Sequence, residues 1–251
     1  MKTSLEFENK TYQSDLSNPL DISMPLSTGK DTPSAWYVAP PKIEPVRTEQ
    51  FIGSVKEGGS VNFRNISFNP HGNGTHTECV GHISREVHSI NQVLNQFFFF
   101  AELISIEPKK LENGDQVILW EQIESIIKTD NTDAIIIRTL PNTDGKLTRQ
   151  YSETNPPYVD AEVMSQLIKR GIKHFLIDLP SVDRELDNGV LAAHHVFWEH
   201  PKKTNLERTI TELIYVPSAI QDGLYLLNLQ IAPFENDASP SKPVLYSLTE
   251  S

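Results

Sequence analysis

Cysteine is almost absent from this sequence of 251 residues. Cys79 is the single example, so no disulfide can form within the chain, and a reducing compartment is the expected environment. No run of about 18 apolar residues occurs, and the first ten residues, MKTSLEFENK, lack the apolar stretch that a secretion signal needs. We therefore predict a cytoplasmic protein that does not span a membrane.

Positive charge is also scarce. The chain has 22 Lys and Arg residues against 33 Asp and Glu residues, a formal net charge of −11, and no basic cluster is longer than a pair such as Lys202–Lys203. Such a chain repels phosphate backbones and anionic lipid surfaces, so neither nucleic acid nor a membrane is an expected partner. The hydrophobic content of 38% and charged content of 22% are those of an ordinary globular protein.

Helical and extended patterns alternate along the second half of the chain. Apolar runs typical of buried strands occur at residues 97–106, 134–137 and 172–178. Helical spacing is seen over 120–127, and Asp160 and Gly171 have the residue types that begin and end a second helix. Short extended runs at 4–7, 21–26 and 36–38 alternate with turns, so the first sixty residues are predicted to be strand or loop, and residues 60–68 alternate as a strand does. The start of the chain and residues 224–231 add antiparallel character. The pattern predicts one α/β domain over residues 1–251, with residues 1–20 as an N-terminal extension.

The segment 69–83, NPHGNGTHTECVGHI, contains three of the eight histidines and one glutamate. Its glycines allow the loop to turn His71 and His76 towards one point, where a divalent cation needs ligands at about 2 Å. In an extended chain His76 and Glu78 face the same side, and His82 joins them if the strand continues. A histidine that is not a ligand is a natural proton carrier there, because its usual pKa is near 6.5.

Other interpretations of this segment are weaker. A single loop histidine is usually a solvated side chain, and residues 72–74 are not followed by the Gly-Lys-Ser/Thr of a phosphate-binding loop. Cys79 is better explained as a small buried thiol than as a nucleophile. Further donors lie far along the chain, at His194, His195 and Glu212. Glu212 stands in an apolar segment, where it either faces solvent or pairs with a cation inside the protein.

The motif HGNGTHTECVGH resembles the His-x-Gly-Thr-His-x-Asp-x-Pro-x-His signature of the metal-dependent cyclase superfamily, which includes bacterial kynurenine formamidases and isatin hydrolases. The segments DISMPL, GIKHFLIDLPSVD, LAAHH and FENDASPSKPVL are similar to four further segments of the family, in the same order. The resemblance extends from residue 21 to about residue 248. It implies a swivelling β/β/α domain with a mixed β-sheet and flanking helices, and a homodimer or higher homo-oligomer.

The resemblance also implies roles for individual residues. The positions that match the family's metal ligands are His71, His76, Glu78, His194 and Glu212. Glu78 stands where the family has an aspartate that bridges two metals, and His82 stands at the position of the catalytic proton-transferring histidine. His195 is the less suitable member of its pair. Imidazole and carboxylate donors suit zinc, as one or two ions, with manganese as the alternative.

The implied reaction is hydrolysis of a C–N amide bond by metal-activated water, of the arylformamidase type, on N-formylkynurenine or a related formamide. Such an enzyme would act in tryptophan catabolism and take a small-molecule amide or lactam as substrate. Hydrolysis of a cyclic amide or lactone, as in isatin hydrolase, is one alternative, and a non-catalytic metal-binding homologue is another. Trp198, or the phenylalanines at 97–100, are candidates for an aromatic wall around the substrate, with ordinary core packing as the competing explanation.

Four features depart from the family pattern. One extra residue separates His71 from His76, Glu78 replaces the shorter aspartate, and Val80 replaces a proline. Residues 199–208, EHPKKTNLER, form an insertion that is expected to cover or widen the pocket. The metal content and the substrate are therefore the points at which this chain is most expected to differ from its relatives.

Overall fold

The computed structural model describes all 251 residues. Its strands, in chain order, are β1 (Lys2–Phe7), β2 (Lys10–Asp15), β3 (Leu20–Asp21), β4 (Lys42–Pro45), β5 (Arg64–Ser67), β6 (His76–Glu78), β7 (Phe98–Ile106), β8 (Lys109–Lys110), β9 (Gln116–Ile118), β10 (Ala134–Thr139), β11 (Tyr158–Val159), β12 (His174–Ile177), β13 (Thr209–Glu212), β14 (Gly223–Asn228), β15 (Ala238–Pro240), β16 (Val244–Ser247) and β17 (Thr249–Glu250). The helices are α1 (Ile90–Val93), α2 (Trp120–Glu124), α3 (Ala161–Lys169) and α4 (Ala192–Phe197). Short 3₁₀ turns lie at Val55–Glu57, Val80–His82 and Asp144–Thr148.

The largest sheet has nine strands, in the order β15-β6-β13-β12-β10-β7-β14-β16-β3. Its four central strands, β13, β12, β10 and β7, are parallel, and the strands on either side are antiparallel. Parallel neighbours need crossover connections, which here include α2, α3 and α4. This mixed sheet with helical cover confirms the predicted α/β class.

Strand β10 explains why the middle of the sheet is so apolar. All six of its residues are buried. Ile135 and Ile137 belong to a cluster of 20 buried residues shared with the helices, whereas Ala134 and Ile136 belong to a cluster of 17 on the opposite face. Since successive side chains point to opposite faces, a strand covered on both sides has almost no polar position. The sheet therefore has two cores, one on each face.

Helix α3 begins and ends where the sequence predicts. The Asp160 carboxylate accepts a hydrogen bond from the Glu162 N–H at 2.8 Å, and Gly171 has φ of 83° just beyond the last turn. A side-chain oxygen at the start and a left-handed glycine at the end satisfy backbone groups that the helix itself leaves free. Val163 and Leu167 are buried against the sheet.

The first seventy residues contain less regular strand than the sequence predicts. Residues 22–26 and 60–63 lie in loops outside the named strands. Of the two alternatives predicted for residues 36–38, strand or loop, the structure has the loop, because Trp36 and Tyr37 each have φ of 57°, in the left-handed region. Two long-range hydrogen bonds hold this loop, from the Ala35 N–H to Gly72 O at 3.0 Å and from the Tyr37 N–H to the Ser152 hydroxyl at 2.9 Å.

The N-terminal residues are part of a sheet of their own. β1 and β2 form an antiparallel hairpin, and β17 near the C-terminus pairs with β2. The predicted N-terminal extension is thus tied to the opposite end of the chain. None of the helices has both the length and the apolarity that crossing a bilayer requires.

Candidate metal centre

Strand β6 carries the centre of the histidine cluster between two other strands. Its antiparallel partner β13 places Glu212 opposite His76, and its other partner β15 places Ala238 opposite Glu78. His76, Glu78 and Glu212 are all buried. Pairing of these three short strands therefore brings together donors that are more than 130 residues apart in the sequence.

His82 reaches the cluster by a different route from the one predicted. The strand ends at Glu78, and the chain turns through the 3₁₀ segment Val80–His82 instead of continuing as an extended strand. The Ile83 N–H donates to Val80 O at 3.0 Å, which closes the turn. The turn still directs His82 towards the cluster, with its ring stacked on that of His71 at a centroid distance of 4.3 Å.

The two buried glutamates are the points on which the imidazoles converge. The Glu78 carboxylate lies 3.0 Å from His71 Nδ1 through Oε2 and 3.1 Å from His194 Nε2 through Oε1. His76 Nε2 lies 3.4 Å from Glu212 Oε2. Glu212 is therefore paired inside the protein and does not face solvent, which decides between the two alternatives left open by its sequence context.

The remaining nitrogen of each of these three histidines faces an oxygen acceptor. His71 Nε2 is 2.8 Å from Asp237 Oδ2, His194 Nδ1 is 2.6 Å from Asp183 Oδ2, and His76 Nδ1 is 3.1 Å from Gly74 O. An imidazole that donates one N–H to such an acceptor has its other nitrogen free to act as a ligand. All three free nitrogens then point at Glu78 or Glu212.

The donor set fits a divalent cation. His76 Nε2 and Glu78 Oε2 are buried, and their close contacts with Glu212 and His71 do not have the geometry of a hydrogen bond, so neither atom has a hydrogen-bond partner in the protein. Buried polar atoms are rarely left without a partner, so these two atoms indicate a missing one. Three overlapping groups of donors have ligand atoms within 4.8 Å of one another: His71 with His76 and Glu78, His71 with His82 and Asp237, and Glu78 with His82 and His194.

The carboxylates create a strongly negative field at this point. Burial by itself disfavours the imidazolium form of His71, but its interactions with the carboxylates of Asp237 and Glu78 outweigh burial and raise its pKa to about 10. His194 is more deeply buried than His71, but Asp183 and Glu78 outweigh burial and raise its pKa to about 10. Burial opposes ionisation of Glu78, but the neighbouring imidazoles hold the pKa of its carboxyl well below the usual range. The field that attracts these protons attracts a metal cation in the same way.

A cavity of about 280 Å³ opens onto this cluster. Its walls include His71, His82, His194 and Glu212 from the cluster, with Trp36 as the single large aromatic and Arg184 as the single Lys or Arg side chain. His82 has 30% of its side chain exposed, so a bound molecule can reach it. Larger surface depressions elsewhere contain no histidine.

Trp198 does not line this cavity, which corrects the prediction of a substrate contact. Its side chain is fully buried, its indole N–H donates to Arg208 O at 2.9 Å, and its ring packs 5.4 Å from the ring of His194. The inserted residues 199–208 do not line the cavity either. The phenylalanines at 97–100 are also absent from its walls. The large aromatic side chain in the cavity wall is Trp36, on the loop at residues 36–38.

Sequence reasoning missed Asp183 and Asp237. Both lie in motifs that carry the family resemblance, Asp183 at the end of GIKHFLIDLPSVD and Asp237 within FENDASPSKPVL. Their presence in those motifs was a usable signal. Neither could be linked to a particular histidine without the tertiary structure, because each contacts its imidazole across a strand or loop.

Comparison with known proteins agrees with this geometry. A family model described as putative cyclase matches residues 14–184, more than half of the chain. The chain is 28% identical over 232 residues to a kynurenine formamidase of Bacillus cereus strain ATCC 14579, covering 90% of this chain and 96% of that protein. A kynurenine formamidase of Bacillus anthracis is 26% identical over 232 residues with the same coverage.

Solved structures share the fold at low sequence identity. Isatin hydrolase A from Ralstonia solanacearum superposes with a TM-score of 0.69 and 16% identity, covering 91% of each chain. Isatin hydrolase A from Labrenzia aggregata, bound to benzyl benzoate, gives 0.68 and 17%, covering 91% of this chain and 93% of that one. Together with the family match, the mixed sheet and the motif order, these findings assign this chain to the cyclase family.

Proposed function

We propose that this protein is a metal-dependent hydrolase of a C–N amide bond other than a peptide bond, of the arylformamidase type. The observation that carries the proposal is the arrangement of His71, His76 and His194, each with one nitrogen held by an oxygen acceptor and the other facing a buried glutamate. The curated relatives are kynurenine formamidases, which supports a formamide such as N-formylkynurenine as the favoured substrate.

The proposed ligands are those implied by the family resemblance. They are His71, His76, Glu78, His194 and Glu212. Zinc is the proposed metal, as one or two ions, with manganese as the alternative, because imidazole and carboxylate donors suit both. A zinc ion held there would lower the pKa of a bound water molecule to about 7 and so would supply a nucleophile at neutral pH.

Two side chains of the cavity, His82 and Trp36, have proposed roles in proton transfer and in substrate binding. His82 is close to the ligands without being the nearest partner of either glutamate, so it is free to accept a proton from the attacking water. The same imidazolium then returns that proton to the amide nitrogen as the C–N bond breaks. A formamide and water thereby give formate and an amine. Trp36 offers a flat apolar surface to an aryl group.

The test combines metal analysis with two substrate classes. Purified protein is analysed for bound metal and assayed with N-formylkynurenine and formyl anilides for release of formate, and with isatin-like lactams and lactones for ring opening. A kcat/KM for formate release that is higher than the kcat/KM for ring opening supports the proposal. Ring opening alone would assign the chain to cyclic substrates, and bound metal without either activity would identify a non-catalytic homologue.

His82→Ala tests the proposed proton carrier. We expect kcat to fall by about 100-fold or more with the metal still bound, since general acid–base catalysis contributes factors of that size. His88→Ala is the matched control, because His88 lies six residues away on the same segment and outside the cavity walls. Equal activity of His82→Ala and the control would remove His82 from the mechanism.

A homodimer in the cytoplasm is the proposed working form. β4 and β5 form a separate two-stranded sheet, and half or more of the surface of Ile66 on β5 and of Val55, Val61 and Phe63 in the segment that joins the two strands is exposed. Isolated two-stranded hairpins are only marginally stable in water, which favours a second copy covering these side chains. Light scattering on the purified protein, with Phe63→Ser as the disrupting variant, tests the oligomeric state.

A further inference from the structure

Asp237 is placed at the centre by backbone pairing. It directly precedes β15, whose pairing with β6 sets Ala238 opposite Glu78. The Cys79 N–H donates to Asp237 O at 3.0 Å, so the main chain of Asp237 is fixed beside the segment that carries His82. The position of this carboxylate therefore depends on the sheet and not on a free loop.

One oxygen of Asp237 lies within 3.5 Å of two imidazoles. Oδ2 lies 2.8 Å from His71 Nε2 and 3.5 Å from His82 Nδ1. The two rings are stacked, with an interplanar angle of 29°. His71 and His82, a proposed metal ligand and the proposed proton carrier, thus face the same carboxylate oxygen of Asp237.

The only other carboxylate near His82 Nδ1 is farther away. Glu78 Oε2 lies 3.9 Å from that nitrogen, and the same oxygen is 3.0 Å from His71 Nδ1. Glu78 is completely buried among proposed metal ligands, whereas Asp237 stands at the edge of the cluster with 26% of its side chain exposed. Asp237 is therefore the acceptor that His82 Nδ1 can use when Glu78 is engaged with a cation.

The turn that carries His82 is packed tightly against Asp237. A side chain on Gly81 would place its Cβ 2.3 Å from His88 O and 3.1 Å from the Asp237 Cβ, so the backbone approaches as closely as a glycine allows. Close packing of this kind limits the positions that the His82 ring can take relative to the carboxylate.

We propose that Asp237 is a positioning residue of the hydrolytic site: its carboxylate accepts the Nδ1–H of His82, so that Nε2 is the nitrogen that exchanges a proton with the substrate. Through the same oxygen it accepts the Nε2–H of His71 and leaves His71 Nδ1 to the metal. The inference deepens the proposed function and rests on it for the catalytic part. The tautomer of His82 is a property of the protein that does not depend on turnover.

The first test reads the tautomer directly. Zinc-loaded protein labelled with ¹⁵N-histidine is recorded by NMR at a pH at which His82 is neutral, and the His82 signals are assigned by their loss in His82→Gln. We expect the proton on Nδ1 in the native chain and a mixture of tautomers in Asp237→Asn. A proton on Nε2 in the native chain would overturn the proposal, whether or not the protein hydrolyses a formamide.

The second test is a double-mutant cycle on kcat at saturating metal. Asp237→Asn alone is expected to lower kcat by about tenfold or more and to change KM by less than about threefold. Added to His82→Gln, the same change should cost little further, because a residue that acts through His82 has nothing left to position. Additive losses in the double variant would overturn the proposal.

The third test measures the zinc affinity of Asp237→Asn against a control variant. Because Asp237 also holds His71, Asp237→Asn is expected to weaken zinc binding by about tenfold in a chelator competition. Glu235→Gln is the control, since Glu235 lies two residues away and binds Asn91 and Gln92 instead of the cluster. If the native chain hydrolyses nothing in the substrate panel, the proposed function fails, while the tautomer and zinc measurements still decide the role of Asp237.

Discussion

Glu78 is completely buried, and its two carboxylate oxygens each lie about one hydrogen-bond length from an imidazole nitrogen. The family signature has an aspartate at this position, which is shorter by one methylene, about 1.5 Å. The structure accommodates the longer side chain because β6 is held on both edges and Glu78 spans the gap to both His71 and His194. The spacing of His71 and His194 in this chain therefore suits a glutamate at position 78.

Restoring the family residue is expected to weaken the site. In Glu78→Asp the carboxylate withdraws from both imidazoles, and we expect zinc affinity to fall by about tenfold, measured by competition with a chelator. Glu86→Asp makes the same change at an exposed position of the same segment and should have no effect. Equal or tighter zinc binding by Glu78→Asp would show that the site does not need the longer side chain.

His174 offers a test of pH dependence outside the metal centre. It is 4% exposed, its Nδ1 lies 2.8 Å from the Thr209 hydroxyl, and burial lowers its pKa to about 3. The folded pKa is below the unfolded value of about 6.5, so as the pH falls from 6.5 towards 3 this residue is protonated in the unfolded chain before it is protonated in the folded chain. The free energy of unfolding therefore has its full value above pH 6.5 and decreases over that range. We expect His174 to account for about 2 to 3 kcal/mol of the stability lost between pH 6.5 and 4.5.

The measurement compares denaturant unfolding of the native chain and His174→Gln across that pH range. The variant should lose less stability on acidification, because glutamine does not titrate, even if it is less stable at pH 7. His88→Gln is the control and should keep the native slope. Parallel curves for the native chain and His174→Gln would show that His174 does not contribute to the pH dependence.

At the scale of elements, helix α4 depends on a residue outside itself. Its own N-cap, Leu191, has φ of 45° and makes no side-chain cap. Asp183 supplies the cap, accepting hydrogen bonds from the Ala193 N–H at 2.8 Å and the His194 N–H at 3.2 Å, and it also accepts from the His194 ring. One carboxylate therefore fixes both the start of the helix and the orientation of the metal-facing imidazole.

Two substitutions at Asp183 should separate these roles. Asp183→Ala removes the cap and is expected to cost about 1 to 2 kcal/mol of unfolding free energy together with zinc affinity. Asp183→Asn keeps an oxygen for the cap but weakens the acceptor for the imidazole, so zinc affinity should fall by about tenfold with a smaller loss of stability. Calorimetry and chelator competition give the two readouts.

Asp160→Asn is the matched control, because it changes the same kind of cap on α3, which carries no proposed ligand. It should leave zinc affinity unchanged. If both Asp183 variants bound zinc as tightly as the native chain, the orientation of the His194 imidazole for metal binding would not depend on Asp183.

At the scale of the whole molecule, the proposed ligands join β6, β13 and α4, which otherwise meet only through packing and strand pairing. A metal that binds the folded state alone adds about 4 kcal/mol when its free concentration is 1,000 times the dissociation constant. For a chain of this size we expect chelation to lower the melting temperature by about 8 to 16 °C. Scanning calorimetry with and without a chelator measures the shift.

We further propose that the chain unfolds as one domain, since the hairpin at the N-terminus pairs with β17 at the other end. The metal-loaded protein should then show a single transition whose calorimetric and van't Hoff enthalpies agree. Two separated transitions would divide the chain into independent units, and an unchanged melting temperature on chelation would argue against a metal in the folded state.

The sequence by itself determined the features that depend on neighbouring residues. Its apolar runs located the buried strands at 98–106 and 134–139, because a strand covered on both faces must be apolar, and Asp160 and Gly171 set the limits of α3. The spacing of His71, His76 and Glu78 indicated a cluster, since a short loop and strand bring close neighbours together whatever the rest of the fold. The order of five motifs carried the resemblance to the cyclase family.

Only the tertiary structure decided which distant residues complete the site. Trp198 and Trp36 have the same side chain, yet one is packed behind His194 and the other lines the cavity, because burial is set by how the helix and the loop dock on the sheet. Asp183 and Asp237 reach their imidazoles through cap and strand contacts that span the fold. Hydrophobic periodicity tells which side chains turn inward, but the partner each one meets is fixed by strand order and register, and these depend on contacts far apart in the chain.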